Sequence, residues 1–263
     1  MSDVVGVIGA GRMGMPIIGH LVDKGFRTFA ADVDLRRKTE VEARKAIWAS
    51  TYDLARESDV VLVCVGFDHE VQDLLKDAES FEGSIVAILS TIHPKTVRRL
   101  AEEAKGFHVV DSTVCRGGDA ADKGALLSFV GGPQEVVARI TPVLRAYSSD
   151  VVHTGEVGSA QVAKAVNNLI MWACLVADHE GLALANRYGV DVGMLRRALG
   201  LSSAQNAALD KWGTQTMAWA EDDMAIVAEM AAECGLKLPQ AELNREMCRV
   251  LKPRRFKLDE YGK

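Results

Sequence analysis

A glycine-rich turn near the N-terminus restricts the fold of this chain more than any other feature. The apolar residues 4–8 run directly into Gly-Ala-Gly-Arg-Met-Gly at residues 9–14, after which a helical pattern begins. In a turn of this kind Gly9 permits the tight bend, Gly11 lets a pyrophosphate approach the backbone, and Gly14 lets the helix pack against the strand. This order of strand, turn and helix predicts a dinucleotide-binding unit.

An acidic residue lies where such a unit requires one. Asp32 ends the second predicted strand, eighteen residues after Gly14, where a carboxylate can accept hydrogen bonds from ribose hydroxyls. The backbone N–H groups of Arg12 and Met13 would face the pyrophosphate at the start of the helix. The sequence therefore predicts NAD or NADP as cofactor.

The choice between NAD and NADP depends on charges that follow this strand. Asp32 would repel a 2′-phosphate, whereas Arg36, Arg37 and Lys38 would attract one. The acid lies at the strand end, and we expect the basic residues to begin a solvated helix. NAD is therefore expected in preference to NADP.

Two different patterns divide the chain. Up to about residue 153, short apolar runs alternate with helical stretches, as in a sheet whose strands are buried on both faces. The predicted strands are Val4–Ile8, Thr28–Ala31, Val60–Val65, Ile85–Leu89, His108–Val110, Leu126–Val130 and Val151–His153. The predicted helices after Gly158 are residues 159–188, 192–199, 203–212, 221–233 and 239–251. We expect an α/β Rossmann domain with a doubly wound sheet in residues 1–157, followed by an all-helical domain in residues 158–263.

Composition and cysteine spacing argue against several other classes of protein. The 31 basic and 36 acidic residues give a net charge of −5, which does not predict nucleic-acid binding. Five scattered cysteines predict neither a disulfide framework nor a metal site, so we expect a reduced, cytoplasmic protein. The apolar stretch 169–176 is followed by charged residues at 178–180 and does not supply the roughly 20 apolar residues of a membrane span.

Four motifs follow one another within about the first 190 residues. They are the turn at residues 9–14, Ser90-Thr91-Ile92, the segment from Asp111 to Gly118 with Gly124, and Lys164-x-x-Asn167-Asn168. Together they resemble the β-hydroxyacid dehydrogenase family, which includes 3-hydroxyisobutyrate dehydrogenase and is related to 6-phosphogluconate dehydrogenase. The resemblance implies hydride transfer between nicotinamide and a small β-hydroxyacid or a similar anionic hydroxy compound.

The resemblance also implies roles for individual residues. Lys164 would be the general acid/base for the substrate hydroxyl, and Asn168, four residues later on the same helix face, would orient the substrate. The turn, the acid and the resemblance together give the expected cofactor contacts: Gly9, Ala10, Gly11, Arg12, Met13, Gly14, Asp32, Val65, Gly66 and Thr91. The expected substrate contacts are Ser112, Cys115, Arg116, Gly117 and Asn168.

Two departures from the family pattern affect the substrate. The family has Ser-Gly-Gly where this chain has Cys115-Arg116-Gly117, so a hydroxyl donor is lost and a full charge is gained. Arginine binds carboxylate, sulfonate or phosphate through two parallel bonds, so Arg116 is a candidate anchor for a strongly anionic substrate, with a surface-pointing side chain as the alternative. In the helical domain, Asp222 stands where the family usually has a lysine.

Two other functions fit the same sequence. An imine or aldehyde reductase shares the layout, although the related imine reductases typically replace the lysine kept here as Lys164. A non-catalytic dinucleotide sensor would account for the changes at Cys115, Arg116 and Asp222, but Lys164 and Asn168 argue against it. Family members bury the long helix against a second subunit, and residues 159–188 are apolar on more than one face, so we expect a homodimer or homotetramer.

Overall fold

A computed structural model describes residues 3–262 and divides the chain into two compact units between Lys164 and Ala165. The strands of the first unit are β1 (Val4–Ile8), β2 (Arg27–Ala31), β3 (Ile47–Trp48), β4 (Val60–Val63), β5 (Ile85–Ile88), β6 (His108–Asp111), β7 (Val114–Cys115), β8 (Leu126–Gly131) and β9 (Ser148–Gly155). Its helices are α1 (Gly14–Asp23), α2 (Arg37–Ala43), α3 (Thr51–Glu57), α4 (Asp68–Leu74), α5 (Pro94–Glu103), α6 (Gly118–Asp122) and α7 (Gln134–Leu144). The long helix α8 (Ser159–Arg187) begins in the first unit and continues into the second, which adds α9 (Val192–Leu199), α10 (Ala207–Asp210), α11 (Ala220–Glu233) and α12 (Pro239–Leu251).

The sheet of the first unit has the strand order of a doubly wound fold. Within residues 3–262 its order is β3-β2-β1-β4-β5-β6-β8-β7, with β9 paired to β8. All pairs from β3 to β6 are parallel, and the direction of winding reverses between β1 and β4. In such sheets ligands bind at the carboxyl ends of the strands, next to this reversal. The Rossmann fold and the helical C-terminal region expected from the sequence are confirmed.

The parallel arrangement does not extend to β8. This strand is antiparallel to both β6 and β7, and it is parallel to β9. Residues 116–125 connect β7 to β8, which is shorter than the crossover of a dozen or more residues that parallel neighbours need. The strands β3 and β7, which the sequence did not predict, contain two residues each and are too short to show a periodic pattern.

Two separate cores explain why the central strands are apolar throughout. In β4, Val60 and Leu62 pack into one buried cluster, whereas Val61 and Val63 pack into another. Successive side chains of a strand point to opposite faces of the sheet, so both faces of β4 are covered. Burial of each such side chain contributes about 1.5–3 kcal/mol. Unbroken apolar runs are the sequence signature of this arrangement.

The second unit has its own core between α8, α11 and α12. Trp172 of α8 is buried, and its indole N–H donates to Asp223 Oδ2 of α11 at 2.9 Å. Met224 and Leu251 lie in the same apolar cluster. Contrary to the expectation from residues 169–176, α8 is by length and composition alone apolar enough to cross a membrane, a test that core helices of soluble proteins and signal sequences also pass.

His179 fastens the C-terminal segment to α8. Its ring is buried, with Nδ1 2.8 Å from the carbonyl oxygen of Leu175 and Nε2 2.8 Å from the backbone nitrogen of Phe256. Because a carbonyl only accepts and an amide N–H only donates, the ring is neutral with its proton on Nδ1. It also packs against Trp212, with ring centroids 4.3 Å apart. Burial lowers the pKa of His179 below its ordinary value.

We expect the stability of the second unit to fall as the pH drops below about 6.5, the ordinary pKa of histidine. The unfolded chain binds a proton at His179 more readily than the folded chain does, so the free energy of unfolding rises with pH across this window and levels off above it. Urea unfolding followed by tryptophan fluorescence at pH 5.5 and 7.5 measures the difference. His179→Gln should reduce it, while His108→Gln, at an exposed position of the first unit, should not. An unchanged pH dependence in His179→Gln would contradict the assignment.

Candidate active site

The glycine turn between β1 and α1 is held in its bend by the neighbouring strands. The backbone N–H of Gly9 donates to Ala31 at 2.8 Å, and its φ of +102° lies in a region that favours glycine. A Cβ on Gly9 would overlap the carbonyl oxygen of Cys64, and one on Gly14 would overlap the carbonyl oxygen of Gly9. By contrast, no atom lies within 4 Å of the Cβ position at Gly11, so the space beside this residue is open.

The start of α1 is suited to an anion. Met13 occupies the N-cap position without a side-chain hydrogen bond, and the first turn of the helix carries no acidic residue. The first N–H groups of a helix lack partners within the helix and carry the positive end of its dipole. The open space at Gly11 lies beside these groups in the chain. A phosphate group fits this combination.

Asp32, directly after β2, is oriented by two backbone groups. Its Oδ2 accepts from the N–H of Ala10 at 2.7 Å, and its Oδ1 accepts from the N–H of Asp34 at 2.8 Å. Each carboxylate oxygen has a second lone pair, so both remain able to accept from a further donor. The carboxylate is thereby tied to the glycine turn itself.

The basic residues after Asp32 each have an acidic partner. Arg36 binds Asp34 through two bonds of 2.7 and 2.9 Å, and its guanidinium lowers the pKa of the Asp34 carboxyl. The other two pairs are Arg37 with Glu40 and Lys38 with Glu42. Such exposed pairs contribute about 0–1 kcal/mol each to stability. In each pair a carboxylate lies beside the cation and partly neutralises its charge.

The loops after β4 and β5 lie at the same edge of the sheet. Ser90 Oγ accepts from the N–H of Val65 at 3.0 Å, and the N–H of Gly66 donates to Glu70 Oε2 at 2.9 Å. Thr91 follows Ser90 and is partly exposed. The carboxyl ends of parallel strands meet at one edge, so the turn at residues 9–14, Asp32 and these loops face the same side.

Asp111 and Gln161 fix the start of α8 against this edge. The buried carboxylate of Asp111, at the end of β6, accepts from the N–H groups of Gly158 at 2.8 Å and Gln161 at 2.9 Å. Burial raises the pKa of Asp111, and these backbone bonds oppose the rise. The side chain of Gln161 accepts from the N–H of Ile92 at 3.0 Å and donates to the carbonyl of Ser90 at 2.8 Å.

Gln161 was missed by the sequence analysis, which named Asp111 only as part of a motif. The one available signal was spacing, because positions 161, 164 and 168 follow one another at three and four residues, as neighbours on one helix face do.

Lys164 is joined to the segment after β6. Its partly buried Nζ donates to the carbonyl of Val114 at 2.7 Å and lies 3.9 Å from Cys115 Sγ. Asn168 follows four residues later on α8, where it is buried and its Oδ1 accepts from Asn167 Nδ2 at 3.0 Å. The helix therefore places Lys164 and Asn168 on one face, as their spacing predicts.

The predicted substrate residues are placed differently from one another. Gly117 is exposed and Cys115 is buried next to Lys164. Ser112 is fully buried, so its hydroxyl is not exposed at the surface of the first unit.

Arg116 binds within the first unit. Its Nη1 is 2.7 Å from Asp150 Oδ2 and 2.8 Å from Ser149 Oγ, both on β9, and 3.2 Å from the carbonyl oxygen of Ala125. Its φ of +84° is uncommon for a residue with a side chain. The charge that the sequence offers to a substrate is thus matched by Asp150, and the side chain holds the turn after β7 against β9.

Within the described residues, no group of three or more histidine, cysteine, aspartate or glutamate side chains is arranged to hold a metal ion. The polar groups at the sheet edge are instead backbone N–H groups, carboxylates, amides and one lysine. This set suits binding of phosphate and ribose and transfer of a proton.

Comparison with known proteins covers both parts of the chain. The NAD-binding domain of 6-phosphogluconate dehydrogenase matches residues 4–155, and the NAD-binding family of NADP-dependent 3-hydroxyisobutyrate dehydrogenase matches residues 158–259. The 3-hydroxyisobutyrate dehydrogenase of Pseudomonas aeruginosa is 30% identical over 218 residues, which are 80% of this chain and 73% of that protein.

Two solved structures have the same fold. The 3-hydroxyisobutyrate dehydrogenase of Mycobacterium tuberculosis, solved with L-serine, has a TM-score of 0.88 at 20% identity and covers 97% of this chain and 95% of its own. An imine reductase variant from Myxococcus stipitatus, in complex with NAD+, has a TM-score of 0.71 at 18% identity over the same shares of the two chains. At these identities the likeness concerns the fold alone.

Gly11→Ala should weaken NAD binding about tenfold or more while leaving the melting temperature unchanged. The methyl group would enter space that no protein atom occupies, so only a ligand entering that space meets it. Isothermal titration with NAD measures the affinity, in which tenfold corresponds to about 1.4 kcal/mol. The matched control is Gly181→Ala, because Gly181 in α8 also has open space at its Cβ position but lies in the second unit. Wild-type affinity in Gly11→Ala would show that no ligand approaches the turn there.

Proposed function

The chain belongs to the β-hydroxyacid dehydrogenase family and is an NAD(P)-dependent dehydrogenase acting on a CH–OH group, and we propose that its substrate is a small β-hydroxyacid deprotonated by Lys164. One observation carries the proposal. Lys164 Nζ is partly buried, is directed by the Val114 carbonyl, and lies on the helix that Asp111 and Gln161 fix to the carboxyl edge of the sheet.

The residues at this edge fit a nicotinamide dinucleotide. The open space at Gly11, the uncapped start of α1 and the carboxylate of Asp32 match the pyrophosphate and the ribose in charge and in hydrogen-bonding capacity. When bound, the nicotinamide supplies the acceptor or donor of a hydride. The chain supplies the binding groups and the movement of the proton.

Lys164 would move that proton. A neutral lysine amine accepts the hydroxyl proton during oxidation, and the ammonium returns it in the reverse direction. The bonds to the carbonyl of Val114 and to Cys115 Sγ use two N–H groups of Nζ, which leaves the third position of the nitrogen, the lone pair of the neutral amine, for the substrate. Asn168, on the same helix face, would orient the substrate with its side-chain amide. The substrate itself would be a small anionic molecule, as the resemblance implies.

NAD is the proposed cofactor in preference to NADP. Asp32 places a negative charge where a 2′-phosphate would lie, and Arg36, Arg37 and Lys38 are each paired with a carboxylate. These pairs reduce the attraction that the three cations would exert on a phosphate. The preference for NAD therefore rests on the negative charge of Asp32 and on the pairing of the three positive charges that follow it.

Turnover with NAD should exceed turnover with NADP by about tenfold or more in kcat/KM, because of the carboxylate at the ribose position. Asp32→Ser should reduce this ratio at least tenfold, mainly because the KM for NAD increases. Side-by-side assays of the wild type and the variant with both cofactors measure the ratio, with Asp23→Ser, at an exposed position of α1, as a control for general loss of charge. Better turnover with NADP in the wild type would overturn the preference.

Lys164→Met should abolish turnover, with a loss on the order of a thousandfold or more, and should leave NAD affinity within about twofold. The change removes the proton acceptor and keeps a side chain of similar length. A panel of 3-hydroxyisobutyrate, 3-hydroxypropionate and L-serine serves for the assay, and titration calorimetry measures NAD binding. Lys105→Met, at an exposed position, is the control. Activity that persists in Lys164→Met would refute the assignment.

The same panel, with a cyclic imine added, separates the competing functions. Reduction of a cyclic imine without oxidation of any hydroxyacid would identify an imine reductase, whose fold this chain shares. Tight NAD binding without any turnover would identify a dinucleotide sensor.

We further propose that the protein is a cytoplasmic homodimer or homotetramer that binds neither nucleic acid nor membrane. The net charge of −5 argues against nucleic-acid binding, and the exposed apolar side chains of α8, among them Ile170 and Leu184, support assembly with further copies of the chain. Sedimentation measurements test the assembly.

A further inference from the structure

The side chain of Arg12 leaves the glycine turn and binds a different part of the first unit. Its Nη1 and Nη2 donate to the two carboxylate oxygens of Asp122 at 2.8 and 2.7 Å. Asp122 ends α6, the short helix that follows Cys115, Arg116 and Gly117. A residue whose backbone lies in the predicted phosphate-binding turn therefore holds the helix next to the predicted substrate contacts.

The guanidinium also lies against the first residue of α6. A Cβ on Gly118 would overlap three atoms of the Arg12 guanidinium, Nη2, Cζ and Nε. The φ of Gly118 is not in the left-handed region, and the three atoms nearest to a Cβ at this position all belong to Arg12, so an alanine here would displace the guanidinium. Arg12 thus contacts α6 at both ends, at Gly118 by packing and at Asp122 by two charged hydrogen bonds.

Further contacts hold α6 and the residues before it. His20 lies on α1, and its Nε2 is 2.9 Å from the carbonyl oxygen of Ala121. Ala121 is itself fully buried. At the other end, Lys164 binds the carbonyl of Val114, and Arg116 binds Asp150. We call residues 114–122 the substrate segment. It is fixed on one side to Lys164 and β9, and on the other side to the turn and helix that would receive the cofactor.

We propose that Arg12 is a positioning residue that couples the cofactor turn to the substrate segment through Asp122 and Gly118. The inference rests on the proposed function, because it takes the turn as the cofactor site and the segment as the substrate site. A dinucleotide that orders the backbone of residues 10–13 also restricts the side chain of Arg12, and with it the segment. Coupling between two sites is reciprocal, so a hydroxyacid bound to the segment would in turn raise the affinity for NAD, whereas NAD binding without the hydroxyacid is not affected.

A different role for Arg12 would be direct contact with the pyrophosphate. Both terminal nitrogens of its guanidinium are bonded to Asp122, which directs the charge away from that role. The two roles predict different effects of removing the Arg12 side chain on NAD binding and on substrate binding. Loss of a phosphate contact weakens NAD binding, whereas loss of positioning weakens substrate binding and leaves NAD affinity nearly unchanged.

The experiment compares Arg12→Ala, Gly118→Ala, Asp122→Asn and the double variant Arg12→Ala/Gly118→Ala with the wild type. Each single change should raise the KM for the hydroxyacid about fivefold or more. The Kd for NAD, measured by calorimetry, should stay within about twofold. In the double variant, Gly118→Ala should add nothing to Arg12→Ala, because the methyl group enters the space that the guanidinium has left. Arg99→Ala removes an equally exposed ion pair with Glu103 and is the matched control, expected to leave both constants unchanged.

Amide hydrogen exchange provides a readout that does not require turnover. In the wild type, NAD should slow exchange in both residues 10–13 and the substrate segment. In Arg12→Ala, NAD should still slow the turn, but its effect on the segment should disappear. Melting temperatures confirm that each variant is folded.

Three results would overturn the coupling. One is a tenfold weaker NAD affinity in Arg12→Ala with wild-type KM in Asp122→Asn, which identifies a phosphate contact. Another is that Gly118→Ala raises the KM for the hydroxyacid by the same factor in the wild type and in Arg12→Ala. The third is an unchanged response of the segment to NAD in Arg12→Ala. If the wild type oxidises no hydroxyacid, the proposed function fails, and the exchange experiment still decides the coupling.

Discussion

The carboxylate of Asp111 is fully buried, and an isolated charge is costly in such a place. It is tolerated because the N–H groups at the start of α8 point at its two oxygens and bring the positive end of the helix dipole with them. The interaction determines where the longest helix begins relative to β6. Since Gln161 and Lys164 follow within the first two turns of α8, the position of the Lys164 amine depends on this buried charge.

The turn after β7 is held by charge in a conformation that a glycine would adopt more easily. Arg116 has a left-handed backbone, which costs on the order of 1–2 kcal/mol for a residue with a side chain. Its contacts with Asp150 and Ser149 offset this cost by fastening the turn to β9. The pattern of the family that the sequence resembles has glycine here, whereas in this chain an ion pair anchors an arginine. These contacts give Arg116 a structural role in the first unit.

The parts of the fold that could be predicted are those whose cause lies nearby in the sequence. The central strands are apolar because both faces are covered, and α8 was expected at residues 159–188 and spans Ser159–Arg187. The glycine turn and Asp32 follow from local backbone geometry in the same way. The predicted helix at 203–212 contains only Ala207–Asp210, because Asn206 caps a new helix inside it.

The features that escaped prediction depend on partners far along the chain. The direction of Arg116 is set by Asp150, thirty-four residues later, and that of Arg12 by Asp122. Ser112, between β6 and β7, is fully buried, which no local pattern in the sequence reveals. The antiparallel direction of β8 follows from a connection too short to cross the sheet. The binding edge could therefore be located from the sequence, but the contacts that hold its loops could not.

The sheet ends on one side in β3, a strand of two residues, and on the other side in β9, which has eight residues and within residues 3–262 pairs with β8 alone. An edge strand invites another chain to add to a sheet by presenting a long row of unpaired N–H and C=O groups. The β3 end is too short to offer such a row. β9 is long enough, but its pairing with β8 is irregular at two places and it carries the charged side chain of Asp150. Both features discourage a further strand from adding at this edge and so protect the sheet from growing into aggregates.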